Sequence, residues 1–189
     1  MTQMVEIPGY VVGTWTLDPV HTNISFSVRH MMVSKVRGRF TRFEGSIVTA
    51  PNPLDSYATA KIDLTSVDTG HPQRDDDLRS ENYFDIETYP EMTYRSTGIR
   101  STDDGVVVDG ELTLHGVTRP VQLQVEVNGF TKDPYGGTRA GFSATGETSR
   151  KDFGITTDIQ MEHGGVVVGN RIQIFIEAEA VLQEPAASA

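Results

Sequence analysis

Apolar and polar residues alternate along this chain with period two, the pattern of strands that bury one face and wet the other. Thr22, Ile24, Phe26, Val28 and His30 fall on one face, with Asn23, Ser25, Ser27 and Arg29 on the other. Val121, Leu123, Val125 and Val127 oppose Gln122, Gln124, Glu126 and Asn128 in the same way. Near the end, Ile172, Ile174, Ile176, Ala178 and Ala180 oppose Arg171, Gln173, Glu177 and Glu179. Weaker runs at 39–49, 58–64, 92–100, 106–114 and 138–148, together with 15–18, predict about eight or nine strands.

Turn-forming clusters such as Asp103-Asp104-Gly105, Asp133-Pro134-Tyr135-Gly136-Gly137 and Gly169-Asn170 join these runs. Connections this short suit antiparallel neighbours and leave no room for crossover helices. Repeated one-face alternation without covering helices predicts a barrel or a sandwich. Gly38, Gly45, Gly110, Gly129, Gly141 and Gly146 fall inside strand runs, where they weaken a flat sheet but let strands bend to close one. The expectation is therefore all-β, a closed antiparallel barrel. The exception is 72–89, where alternation stops and Arg74-Asp75-Asp76-Asp77-Leu78-Arg79-Ser80 carries acid-rich helix-start chemistry. One or two short helices are predicted there, ending before Pro90. An N-terminal extension over 1–13 and a disordered polar tail over 184–189 flank a barrel domain at 14–183.

With 189 residues, 37% hydrophobic and 22% charged, the chain fits one globular domain, and no apolar run approaches the roughly 20 residues a bilayer span needs. Lys and Arg total 16 against 26 Asp and Glu, a net charge of -10, which disfavours a nucleic-acid partner. Absence of cysteine removes disulfides, thiolate nucleophiles and thiolate metal ligands together. The first basic residue is Arg29, and Pro8-Gly9 interrupts the start, so no signal peptide is read and a cytoplasmic location is expected, with export the alternative if a signal has been removed.

Motifs for chemistry are missing. There is no H-E-x-x-H, P-loop or G-x-G-x-x-G, and Gly141-Phe142-Ser143-Ala144-Thr145 lacks the second glycine of a nucleophile elbow. No metal, cofactor or catalytic residue is expected. Asp75-Asp76-Asp77 reads as a solvated helix start. His21 and His30 lie on opposite faces; His21 suits a local hydrogen bond at a turn, and His30, on the apolar parity, is either a structural histidine or a ligand contact. His115 fits a turn role, and His71 is expected in solvent. The basic cluster Arg29, Lys35, Arg37, Arg39 and Arg42 is either a charged strand surface or a rim that meets a diphosphate or anionic lipid head. Phe40, Phe43, Met31, Met32, Met92, Tyr94 and Phe142 either fill the core or line a cavity, since an eight-stranded barrel allows both.

Ordered segments from one end of the chain to the other resemble a known family. They are Trp15-Thr16-Leu17-Asp18 to His21, the run from Phe26 to Phe40, Ser66-Val67-Asp68-Thr69-Gly70, Arg74-Asp75 with Leu78-Arg79-Ser80, Tyr83-Phe84-Asp85, and Tyr89-Pro90. Leu112-Thr113-Leu114-His115-Gly116 to Pro120, Asp133-Pro134-Tyr135-Gly136 and Arg150-Lys151-Asp152-Phe153-Gly154-Ile155 follow. Together they resemble the YceI-like family, also called polyisoprenoid-binding or lipocalin-like proteins. That resemblance implies an elongated eight-stranded lipocalin-like barrel with a short helical insertion near its mouth, non-covalent binding of isoprenoid or other amphiphilic lipid, and a homodimer. Two departures stand out: Asp77 occupies a position that is most often His in the family, which makes an anionic head group less welcome, and the signal peptide common among relatives is missing.

Combined with the strand parity, the resemblance places a lipid tail along Ile24, Phe26, Val28, Phe40, Leu112, Leu114, Phe142, Ile174 and Ile176. Leu78, Tyr83 and Phe84 close over it, His30 and Met32 stand at the mouth, and Arg74, Asp77 and Arg79 meet the head group. Two alternatives stay open: an enzyme using His30 and an acid such as Asp75 on a small hydrophobic substrate, and a solidly packed barrel serving as an interaction module.

Overall fold

Backbone hydrogen bonds in strands can be satisfied only by neighbours, so a sheet with one apolar face gains most by curling until its edges meet. The computed structural model describes residues 6–185 and shows that closure. The first five residues of the expected extension, and the expected tail from 186 onward, lie outside the described residues. Twelve strands are β1 Gly13–Leu17, β2 Asn23–His30, β3 Ser34–Phe40, β4 Phe43–Thr49, β5 Tyr57–Asp63, β6 Val67–Asp68, β7 Glu91–Thr102, β8 Gly105–Leu114, β9 Val117–Pro120, β10 Leu123–Lys132, β11 Thr138–Ser149 and β12 Val168–Leu182. One helix, α1, spans Pro72–Arg79.

The registers merge these pieces into eight staves. β1 and β2 together run along β12, whose Leu182 faces Trp15 and whose Ile176 faces Ile24. β3 and β4 form the next stave, with Ile24 opposite Phe40 and Trp15 opposite Ile47. β5 continues into β6, β7 and β8 follow, β9 continues into β10, and β11 pairs with β12 along its length. Every pairing is antiparallel and sequential, and the β1–β12 pairing closes the ring.

Breaks in the staves have local causes. The 39–49 run is two strands because the amides of Thr41 and Arg42 both turn to the buried Ser66 hydroxyl, at 3.1 and 3.0 Å. Bulges between Ser96 and Gly98 and between Val127 and Gly129 each insert one residue, which returns Ile99 and Phe130 to the inner face against simple alternation. Gly110 admits the Tyr94 ring from the neighbouring strand: a Cβ there would sit 2.2 Å from the Tyr94 hydroxyl.

The predicted helical region holds α1 and then a series of turns to Tyr89. His71 caps α1, its Nδ1 accepting from the Arg74 amide, while its side chain stays exposed as expected. Asp75 corrects the reading of a solvated acidic start: it is 7% exposed, and its carboxylate accepts from the Thr69 amide and hydroxyl, tying the helix to the end of β6.

Candidate functional site

Inward-facing side chains do not fill this barrel. They leave two apolar chambers stacked along its axis and sharing Ile24, Ala60, Tyr94, Leu123 and Ile176 as a common waist. Toward the end carrying α1 the chamber encloses about 180 Å³, lined by Phe26, Val28, Phe40, Leu112, Leu114 and Ile174, with Leu78, Tyr83 and Phe84 above them. Toward the opposite end the chamber encloses about 200 Å³, lined by Leu17, Ile47, Val106, Val125, Phe130 and Phe142. A solidly packed interior is excluded by these volumes.

Both ends are covered. At the far end Trp15 is fully buried, its Nε1 donating to Thr49 Oγ1 at 2.8 Å, with its ring edge-on to Phe130 at 5.5 Å. The chain before β1 crosses this end, where the Tyr10 hydroxyl donates to the Ala50 carbonyl at 2.7 Å. At the α1 end, Phe153 and Ile155 join the cover, held by Arg150. That guanidinium is 4% exposed; it donates to the carbonyls of Gly169, Ile155 and Val168 and meets Asp158 at 2.7 Å. Lys151 and Arg150 in turn hold the Asp158 carboxyl below the usual carboxylate range. Arg150 escaped the candidate residues read from sequence, although it opens the Arg150-Lys151-Asp152-Phe153-Gly154-Ile155 segment; that segment was the one available signal.

Polar atoms reach the interior at few points. Burial pushes the Tyr94 hydroxyl up to about 12, and it donates to the Val121 carbonyl at 3.1 Å. Tyr83 is 7% exposed and its phenol is also raised, by burial first and then by the charge of Asp77. The α1-end chamber itself is walled almost wholly by apolar atoms.

The polar residues expected at the head group sit elsewhere. Arg74 donates to the Thr69 hydroxyl and carbonyl at 2.8 and 2.9 Å, and Arg79 to the carbonyls of Thr65 and Val67 and to Asp76. Both pin α1 to the wall through the carbonyls of Thr65, Val67 and Thr69, on the segment that runs from the end of β5 past β6. Asp77 is exposed and accepts from Asn82. His30 ends β2 beyond the chamber wall, and Met32 is 53% exposed at the β2–β3 turn. None of these five residues lines either chamber. Asp75, engaged with Thr69, is not positioned as a partner for His30.

Among the described residues one group could offer three metal ligands, Asp18, His21 and Glu179. Arg139 already supplies the positive charge there, its Nη1 lying 2.7 Å from Asp18 and 2.8 Å from Glu179. The His21 bond to Asp18, at 2.8 Å, is the local turn contact its sequence position suggests.

Comparison with known proteins agrees with this architecture. A YceI-like domain matches residues 15–180. A UPF0312 protein of Photorhabdus laumondii is 42% identical over 156 residues, covering 82% of this chain and 76% of that protein. BcnA of Burkholderia cenocepacia superposes with a TM-score of 0.72 at 22% identity, covering 86% of this chain and 98% of that one. A polyisoprenoid binding domain from Saccharophagus degradans, described as implicated in plant cell wall breakdown, gives 0.68 at 18% identity, covering 92% of this chain and all, 100%, of its own.

Proposed function

The chain belongs to the YceI-like family, and from that premise we propose that it binds, stores or carries a long-chain amphiphilic lipid, a polyisoprenoid or isoprenoid quinone, without covalent chemistry. The observation that carries this reading is the pair of apolar chambers meeting at one waist inside a closed barrel. Water gains little by filling such a space, whereas each methylene-sized group buried gains roughly 0.8 kcal/mol.

Tunnel length supports a tail of definite size. Along β12 the lining runs from Val168 to Ala178, which at ~3.3 Å per residue and a barrel tilt of ~40° is roughly 25 Å of axis. Three backbone bonds advance about 3.5 Å, so an isoprene unit of four chain bonds advances about 4.6 Å, and the tunnel accommodates about five units.

For the head group the chemistry favours a neutral one. The charge of Arg150 is answered by Asp158, and the rest of the α1-end lining is almost wholly apolar. An uncharged head such as a quinone or an alcohol loses least on leaving water for this lining, whereas a diphosphate would find no uncommitted cation in the chamber. Binding rather than turnover is the reading that this apolar lining supports.

Extraction of the purified protein with organic solvent, followed by mass spectrometry, tests the proposal. One equivalent of a lipid with an isoprenoid tail and uncharged head is expected. A protein that releases no lipid, and takes up none when offered isoprenoid alcohols or quinones, would sink the reading.

A further inference from the structure

The turn between β2 and β3 is built from residues that such a turn disfavours. Met31 and Met32 have φ of 51° and 62°, both left-handed, and the Val33 amide closes on the His30 carbonyl at 3.2 Å. Within this three-residue connection, a turn whose two central residues are both left-handed takes Asn-Gly by preference, because Cβ crowds the following carbonyl oxygen there. Here it holds two methionines in a strained backbone and directs them, with Val33, into solvent: they are 43%, 53% and 83% exposed. Strain retained to display apolar side chains points to a function for the display.

The hairpin also stands clear of the barrel. β3 pairs with β6 only at Arg39 and Phe40, leaving its outer edge from Ser34 to Gly38 without a strand partner among the described residues. Beside its tip lies the loop leading to β12, joined through the Met31 amide to the Val167 carbonyl at 2.7 Å and adding Ile159, 55% exposed. Behind the apolar tip, Arg29 and Lys35 face each other across the hairpin and Arg37 follows; all three are exposed, and none joins an ion pair among the described residues. Glu162 is the single acid within 29–37 and 159–167. On a chain of net charge -10, this is a local cationic collar around an apolar point.

We infer that the β2–β3 hairpin is a membrane-docking finger, which inserts Met31, Met32 and Val33 into an anionic phospholipid bilayer while Arg29, Lys35 and Arg37 meet its head groups. Apolar side chains at the tip with cations one step behind match the layering of an interface. Flexible, polarisable methionines adapt to irregular acyl packing. Val28 and Val168, at the base of the finger, line the α1-end chamber, so docking brings the membrane beside that chamber and shortens the path of a hydrocarbon chain through water. The inference adds a site of exchange to the lipid-carrying role, but docking itself needs no bound ligand.

Flotation of lipid-stripped full-length protein with vesicles of equal phosphatidylglycerol and phosphatidylcholine, against phosphatidylcholine alone, tests it. The protein is expected to float with the anionic vesicles and to be released by salt. Each basic residue at an anionic surface contributes roughly a fivefold factor, so R29Q with K35Q should weaken partitioning roughly 25-fold. M31N with M32G supplies the preferred turn residues, so it should keep or raise the melting temperature while abolishing flotation. Overturning results are absence of the wild-type protein from anionic vesicles, flotation of M31N/M32G at the wild-type level, or a finger-dependent dimer in sedimentation without vesicle binding. The lipid extraction described above is independent of all of these, so either reading can fail while the other stands.

Discussion

Ala60→Phe at the waist should shorten the tail that the barrel accepts. Ala60 lies on β5 opposite Tyr94 of β7 and borders both chambers, so a ring there fills the passage between them. With chambers of similar volume, about half of a five-unit tail lies beyond the waist. Ten carbons at roughly 0.8 kcal/mol each amount to about 8 kcal/mol gross. Even if half of that is recovered by folding the tail back, the loss is about 4 kcal/mol, close to a thousandfold in Kd. A two-unit tail fits one chamber and should lose less than about tenfold. Because the ring enters an existing void, its cost to stability should fall at or below the ~1–3 kcal/mol of ordinary overpacking. Native mass spectrometry with isoprenoid alcohols of two and five units, on wild type and variant at matched folding, measures the ratio. Equal affinity of both proteins for the five-unit alcohol would refute the threading of the tail through the waist.

Other expectations follow from the same contacts. Arg150→Ala strands three carbonyls at the α1 end and leaves Asp158 to Lys151 alone, and should cost about 3–5 kcal/mol in chemical denaturation; a loss under 1 kcal/mol would mean water replaces the guanidinium. Gly110→Ala drives a methyl into the Tyr94 hydroxyl and should destabilise by about 1–3 kcal/mol, whereas Tyr94→Phe loses only the bond to Val121, about 1 kcal/mol; the reverse order in urea melts would contradict the packing. His21 is raised by its hydrogen bond to Asp18, so its stabilisation is complete below its unfolded value of about 6.5 and is lost as pH rises through the folded value. The melting temperature of wild type should therefore fall relative to His21→Gln as pH rises above about 6.5, and parallel curves would remove the histidine from the account. Asp18, held far down by His21 and Arg139, contributes the opposite limb, stability present at neutral pH and lost only in strong acid.

Much of the fold was legible in the chain because period-two alternation is local. Ile24, Phe26, Val28, Leu112, Leu114, Ile174 and Ile176 face the interior as their parity requires, and the covering role of Leu78, Tyr83 and Phe84 follows from an insertion that interrupts the strands. Parity cannot anticipate a bulge, so the return of Ile99 and Phe130 to the inner face came only with the register. The polar residues were harder to place, since a charged side chain is claimed by whatever carbonyl or carboxylate the fold brings to it. Arg74 and Arg79 bind the backbone of a segment up to fourteen residues earlier, Arg139 gathers Asp18, Asp133 and Glu179 from three separate parts of the chain, and Arg150 is buried under a loop that follows it. Whether the interior is hollow was likewise a tertiary matter. Each strand specifies which side chains point inward, but the space left between them depends on all eight staves at once, on how far Trp15 and Phe153 reach from the two ends, and on where Tyr94 comes to rest over Gly110.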